Sequence, residues 1–180
     1  MKTIVFFCMI AFMGLNAHAQ VEKVSLQASG LTCSMCSKAV YNALTKVPFV
    51  NKVDVDIKDQ RYDISFKDGA TVDFDALSKA VSDAGFSVAK FTVTANLNKL
   101  VLQKDKHVEI GGKYFLFLNA DSQQLNGRTS FTVVDKSFTS AKNFKKYTGM
   151  TRMECMQTGY SGKCCDKEIP EHTRIYHAII

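Results

Sequence analysis

The sequence predicts an α+β protein in two parts, and three observations carry that prediction. Residues 21–91 switch between a period of two and a helical period, in the order strand, helix, strand, strand, helix, strand. Beyond about residue 96 the pattern becomes short apolar runs set between glycine turns, with one stretch at helical spacing. No stretch after the first nineteen residues is apolar for the ~20 residues that a membrane span needs.

The elements follow in order. Val24, Leu26 and Ala28 alternate with polar residues, which predicts a strand that Gly30 breaks. Ser34 to Lys46 reads as a helix with Val40, Ala43, Leu44 and Val47 on one face, ended by Pro48. Val53, Val55 and Ile57 alternate again, Lys58-Asp59-Gln60 turns the chain, and Tyr62, Ile64 and Phe66 return as the second arm of a hairpin. Asp73 is placed to cap a helix from about Phe74 to Ala84, Gly85 stops it, and Phe86, Val88 and Phe91 open a last strand. Strand, helix, strand, strand, helix, strand is the order of the split β-α-β, ferredoxin-like arrangement, with two helices on one face of a four-stranded antiparallel sheet.

Residues 93–98, around Asn96-Leu97-Asn98, read as a linker, and residues 99–180 as a small β-rich domain with one short helix. Strands are expected at Tyr114–Leu118 after Gly111-Gly112, at Phe131–Val134 after a hairpin turn at Asn126-Gly127, and at Ile175–Ile180. Ser140 is placed to cap a helix through Tyr147, which Gly149 ends.

Residues 1–19 have the layout of a secretory signal: Lys2, an apolar run from Ile4 to Leu15, and small residues at Ala17 and Ala19. Cleavage is expected after Ala19, leaving a secreted or periplasmic chain from Gln20. Cys8 lies inside the apolar run rather than after it, so it does not read as a lipid anchor. The 23 basic residues lose Lys2 and face 17 acidic ones, a net charge of +5. These charges are scattered and do not alternate with aromatics, which argues against a nucleic-acid partner. No Ser-His-Asp order, phosphate loop or paired carboxylate constellation stands out, which argues against an enzyme. Five cysteines remain, an odd number in an oxidising compartment, so at least one thiol is free, shared or bound.

Cys33 and Cys36 stand where the first strand gives way to the first helix. A helix N-terminus carries partial positive charge and unpaired N–H groups, and both favour thiolate. Two thiolates three positions apart can share one ion. With no third cysteine or histidine near in sequence, they suit a soft ion that accepts two ligands, above all Cu(I). A structural zinc site needs four. A thiol–disulfide redox pair and a plain disulfide are the competing readings. The chain has no Trp, and Pro48 and Pro170 lie elsewhere, unlike the usual flanks of a redox C-x-x-C.

The loop Gly30-Leu31-Thr32-Cys33-Ser34-Met35-Cys36, the later Asp83-Ala84-Gly85-Phe86 and the element order together resemble the heavy-metal-associated domain, the module of copper chaperones and copper-pumping ATPases. That family's loop reads G-M-T-C-x-x-C, and Leu31 replaces its Met. The resemblance covers about residues 22–91. It implies one Cu(I) held by Cys33 and Cys36, passed by thiolate exchange to a protein partner such as a metal-transporting ATPase or efflux component. Hg(II) is the alternative cargo, since a periplasmic mercuric-ion carrier shares the fold and both ions accept two thiolates; Zn(II) is the third candidate.

Near the C-terminus, Met150, Met153, Cys155, Met156, Cys164 and Cys165 cluster in sequence, with His172 and His177 after them. Two readings stand side by side. One is a second soft-metal site at Cys155, Cys164 and Cys165. The other is a disulfide from Cys155 to Cys164 or Cys165, with the methionines filling a core. His172 and His177 carry little weight as ligands, and His107 less.

Overall fold

A computed structural model describes residues 20–180. The predicted signal segment, with its cleavage after Ala19, lies outside the described residues. The first part has the expected order: β1 (Gln20–Ser29), α1 (Ser34–Thr45), β2 (Val50–Asp56), β3 (Arg61–Phe66), α2 (Phe74–Asp83) and β4 (Ser87–Leu102). Asp73 caps α2 by accepting from Ala76 N at 3.2 Å. At its other end Gly85 takes φ +88°; its N–H donates to Ser82 O and that of Phe86 to Val81 O, the paired closure of a Schellman turn.

The expected linker is not one. Residues 93–98 lie inside β4, which continues to Leu102. Val93, Ala95 and Leu97 extend the buried alternation begun by Val88 and Phe91, so the two asparagines are the outward members of a strand. The first half of β4 pairs antiparallel with β1, and from Phe91 onward its other side pairs with β7 (Gln123–Val133). Asn126-Gly127, expected to turn a hairpin, sits within β7 as well. Gly127 (φ +72°) opposes Leu97, where the β4–β7 register shifts before Leu100. The positive φ therefore serves a bulge, and the strand runs through it.

The remaining strands are β5 (His107–Ile110), β6 (Lys113–Phe117) and β8 (Ile175–Ile179). Gly111 and Gly112, both at positive φ, make the tight β5–β6 turn. All eight strands form one sheet in the order β2-β3-β1-β4-β7-β8-β6-β5. Helix α3 (Ala141–Thr148) is capped by Ser140 as expected, and the four-residue α4 (Cys155–Thr158) adds a second helical segment to the one predicted.

One core spans both parts. Phe74 of α2 packs edge-on against Phe91 and Tyr176 and lies 6.3 Å from Phe115, centroid to centroid. Arg174 grips Asp75 of α2 through Nε and Nη2, at 2.9 and 3.2 Å, and Tyr176 donates its hydroxyl to the same carboxylate. On this helix-covered face β6 and β8 place Phe115, Phe117, Tyr176 and Ala178. Their alternate residues Leu116 and Ile175 point the other way, into a second cluster under α4 with Cys155 and Ile169.

Candidate metal centres

The first centre is built by the turn out of β1. Gly30 takes φ +87°, which bends the chain over Phe86, 3.8 Å from where a Cβ would stand. The Schellman turn at Gly85 is what delivers Phe86 to this spot, giving the second half of the sequence signature a physical role. Leu31 turns inward and is 9% exposed, part of the main core, and its carbonyl accepts from Gln60 Nε2 at 3.3 Å. The family's Met position is thus filled by an apolar chain of similar size.

Cys33 is the N-cap of α1. Its backbone is extended and its sulfur accepts from Cys36 N at 3.4 Å, so the thiol occupies the place of a capping hydroxyl. The Cys33 and Cys36 sulfurs are 2.8 Å apart, Cys33 exposed and Cys36 half-buried against the core. Hydrogen bonding from Cys33, then from the Thr32 backbone, holds the Cys36 thiol below the ordinary thiol range. Met35 between them is 79% exposed. Among the described residues no third His, Cys, Asp or Glu comes within reach of this pair. It is a group of two donors, open to solvent on one side.

The second cysteine group comes together on the opposite face of the sheet. One donor atom from each of His107, Cys155 and Cys165 lies within 4.8 Å of the other two. The Cys164 sulfur is 3.7 Å from that of Cys165. All five described cysteines are free thiols in this structure, the two possible disulfide partners of Cys155 included. Cys155 is fully buried at the start of α4, and burial pushes its thiol far up, with Cys165 and Cys164 adding to the effect. Burial raises Cys165 too. At Cys164 burial also opposes ionisation, but hydrogen bonding at the Cys155 backbone and the Cys165 thiol outweighs it and lowers the group.

Sequence reasoning ranked His107 last, and the structure brings it in. It starts β5, opposite Leu116, on the face that carries Cys155. Its side chain is 1% exposed, Asp166 Oδ2 accepts from Nδ1 at 3.0 Å, and Nε2 has no partner. His177 is buried beside the group: Nδ1 bonds Asp135 at 2.8 Å and Nε2 faces the Cys155 sulfur at 3.4 Å. His172 is exposed on a turn, away from the group. Met156 is buried and Met153 packs on the apolar cluster, as core filling would have it, while Met150 is exposed.

Comparison with known proteins places somewhat over a third of the chain. A sequence profile of the heavy-metal-associated domain matches residues 25–87. The mercuric transport protein periplasmic component of Pseudomonas fluorescens is 38% identical over 68 residues, covering 38% of this chain and 74% of that protein. That of Salmonella typhi is 37% identical over the same length and coverage. Among solved structures, oxidized MerP from Ralstonia metallidurans CH34 aligns at 38% identity over 38% of this chain and 96% of its own, with a TM-score of 0.34.

Proposed function

The chain belongs to the heavy-metal-associated domain family through residues 25–87, and on that premise we propose that it is an exported carrier of one soft metal ion, held by Cys33 and Cys36. The observation that carries this reading is the pair itself: two thiols at an exposed turn, one held below the ordinary thiol range, with no third donor among the described residues. Ions that accept two thiolates in line are d10 and soft, Cu(I) and Hg(II). The curated relatives named for mercuric transport favour Hg(II) as cargo; Cu(I), expected from the donor set, makes the same demand.

Transfer follows from the coordination number. A two-coordinate ion leaves positions open, so a thiolate from a partner protein enters before either cysteine departs. Cys33, the exposed member, is the one an incoming thiolate meets. The ion is never released to water, and each cysteine that leaves takes up a proton. Gripping a linear ion spreads the sulfurs to about 4.6 Å, twice a metal–sulfur bond of about 2.3 Å; the exposed turn bearing Cys33 can make that opening. The partner is a thiol-bearing membrane transporter or efflux protein, since the relatives are transport components.

Reduced protein titrated anaerobically with Hg(II) and with Cu(I), against a competing chelator, tests this. The native chain should bind one more equivalent than the Cys33→Ser/Cys36→Ser variant. Equal stoichiometry in the two would sink the proposal.

A further inference from the structure

We propose that His107, Cys155, Cys164 and Cys165 form a second metal site, a closed tetrahedral centre for a zinc-class d10 ion that staples the C-terminal part of the fold. The argument starts from the buried nitrogen. A histidine side chain that is 1% exposed should have both ring nitrogens satisfied, yet Nε2 of His107 has no partner. Asp166 accepts from Nδ1, which leaves the lone pair on Nε2. A carboxylate behind a histidine whose other nitrogen is free is the outer arrangement of a metal-bound imidazole.

His107 presents a ring nitrogen to the same tight group as the Cys155 and Cys165 sulfurs, and Nε2 is the one that Asp166 leaves free. Cys164 lies outside that 4.8 Å group but would close on the ion as the fourth donor: its sulfur is 3.7 Å from that of Cys165, and the edge of a tetrahedron with metal–sulfur bonds of about 2.3 Å is about 3.8 Å. Three sulfurs and one imidazole are a zinc donor set, and a site of four protein ligands has no open position. A disulfide within the group would leave one thiol over and would give the nitrogen nothing. Binding releases the three thiol protons to solvent.

The need for such a centre is visible in the fold. Between β7 and β8 the chain runs from Val134 to Arg174 with only α3 and α4 as regular structure. The ion would tie β5, through His107, to α4 and to the loop at residues 164–165. Apolar walls from Leu116, Ile169 and Ile175 cover its inner side, where Cys155 is fully buried, while Cys164 and Cys165 are half-buried. This centre is distinct from the exposed pair in ligand number, access and role, and it stands whether or not that pair carries cargo.

The Cys33→Ser/Cys36→Ser chain, reduced and anaerobic, is titrated with Zn(II) against a chromophoric chelator, and separately with Co(II). The proposal expects one tight zinc equivalent. It also expects intense visible bands of tetrahedral cobalt with thiolate charge transfer, and resistance of the 150–170 segment to protease only with metal. His107→Gln, which keeps all three thiols, should weaken binding and blunt the cobalt spectrum; Asp166→Asn should cost ~10–100-fold in affinity through the imidazole it orients. No tight equivalent in a chain shown folded by circular dichroism, six-coordinate cobalt, Cu(I) taken up with zinc refused, or a Cys155 disulfide in the protein isolated without reductant would each overturn it.

Discussion

The two cysteine groups differ in almost every physical respect that governs a metal site. The loop pair opens to solvent at Cys33, has two donors, and holds the Cys36 thiol below its ordinary range. The inner group is largely buried, brings His107 to the Cys155 and Cys165 sulfurs with Cys164 beside the latter, and holds Cys155 firmly protonated. An open site of low coordination number exchanges its ion; a closed one of full coordination keeps it. The contrast teaches that cysteine count alone says little. What separates a transit site from a retained one is how many donors converge and whether a competing thiolate can reach them.

The sharpest test of that contrast is thiol labelling of the metal-free protein. Cys33 and Cys36 should react at once, while Cys155 should react roughly 1,000-fold more slowly, as expected where reaction waits on an opening of about 4 kcal/mol. Peptide mapping of a labelling time course measures both, and equal rates would erase the distinction. The pH dependence has a definite sign. The lowered Cys36 group keeps its reactive thiolate to lower pH than an ordinary thiol does, and its rate falls about tenfold per unit once pH drops below that group. The raised Cys155 group stays a thiol across the same range.

A second test asks whether the regions stand on one scaffold. Phe74 belongs to the first part but packs on Phe91 and Tyr176, and so joins both. Phe74→Ala should cost about 3–5 kcal/mol and lower a single denaturant transition seen equally by probes in either part. Two separated transitions in the native chain would mean that the shared sheet does not couple them. The smallest effect is expected at Leu31→Met. It restores the family's residue under the loop and should change stability by less than about 1.5 kcal/mol, since the volumes match; a large loss by thermal melt would show that the loop's seat is specific to leucine.

Legibility in the sequence tracked how local the cause was. The first centre could be read because its ligands are three residues apart, its bend is one glycine, and its supporting helix ends in a recognisable Gly85-Phe86 turn. Asn96 and Asn98 misled because polar residues suggest a linker, whereas their facing neighbours Ala95 and Leu97 are buried against β1 and β7. His107 carried no signal at all. Its partner Asp166 is 59 residues away, and only the β5–β6 pairing and the fold of α4 bring the thiols to it. Cys155, Cys164 and Cys165 were legible as a group, but their company was not.

The long β4 strand has one further consequence. In a four-stranded module of order β2-β3-β1-β4 the last strand would be an edge, offering a row of unpaired N–H and C=O groups to any passing extended chain. Here β7 occupies that row from Phe91 to Leu102. The copy-to-copy pairing that an open edge invites is closed off on this side: β2 stays a free margin, and the other is moved out from β4 to β5. A visiting chain that would add itself to the β4 flank finds that row of backbone groups already claimed.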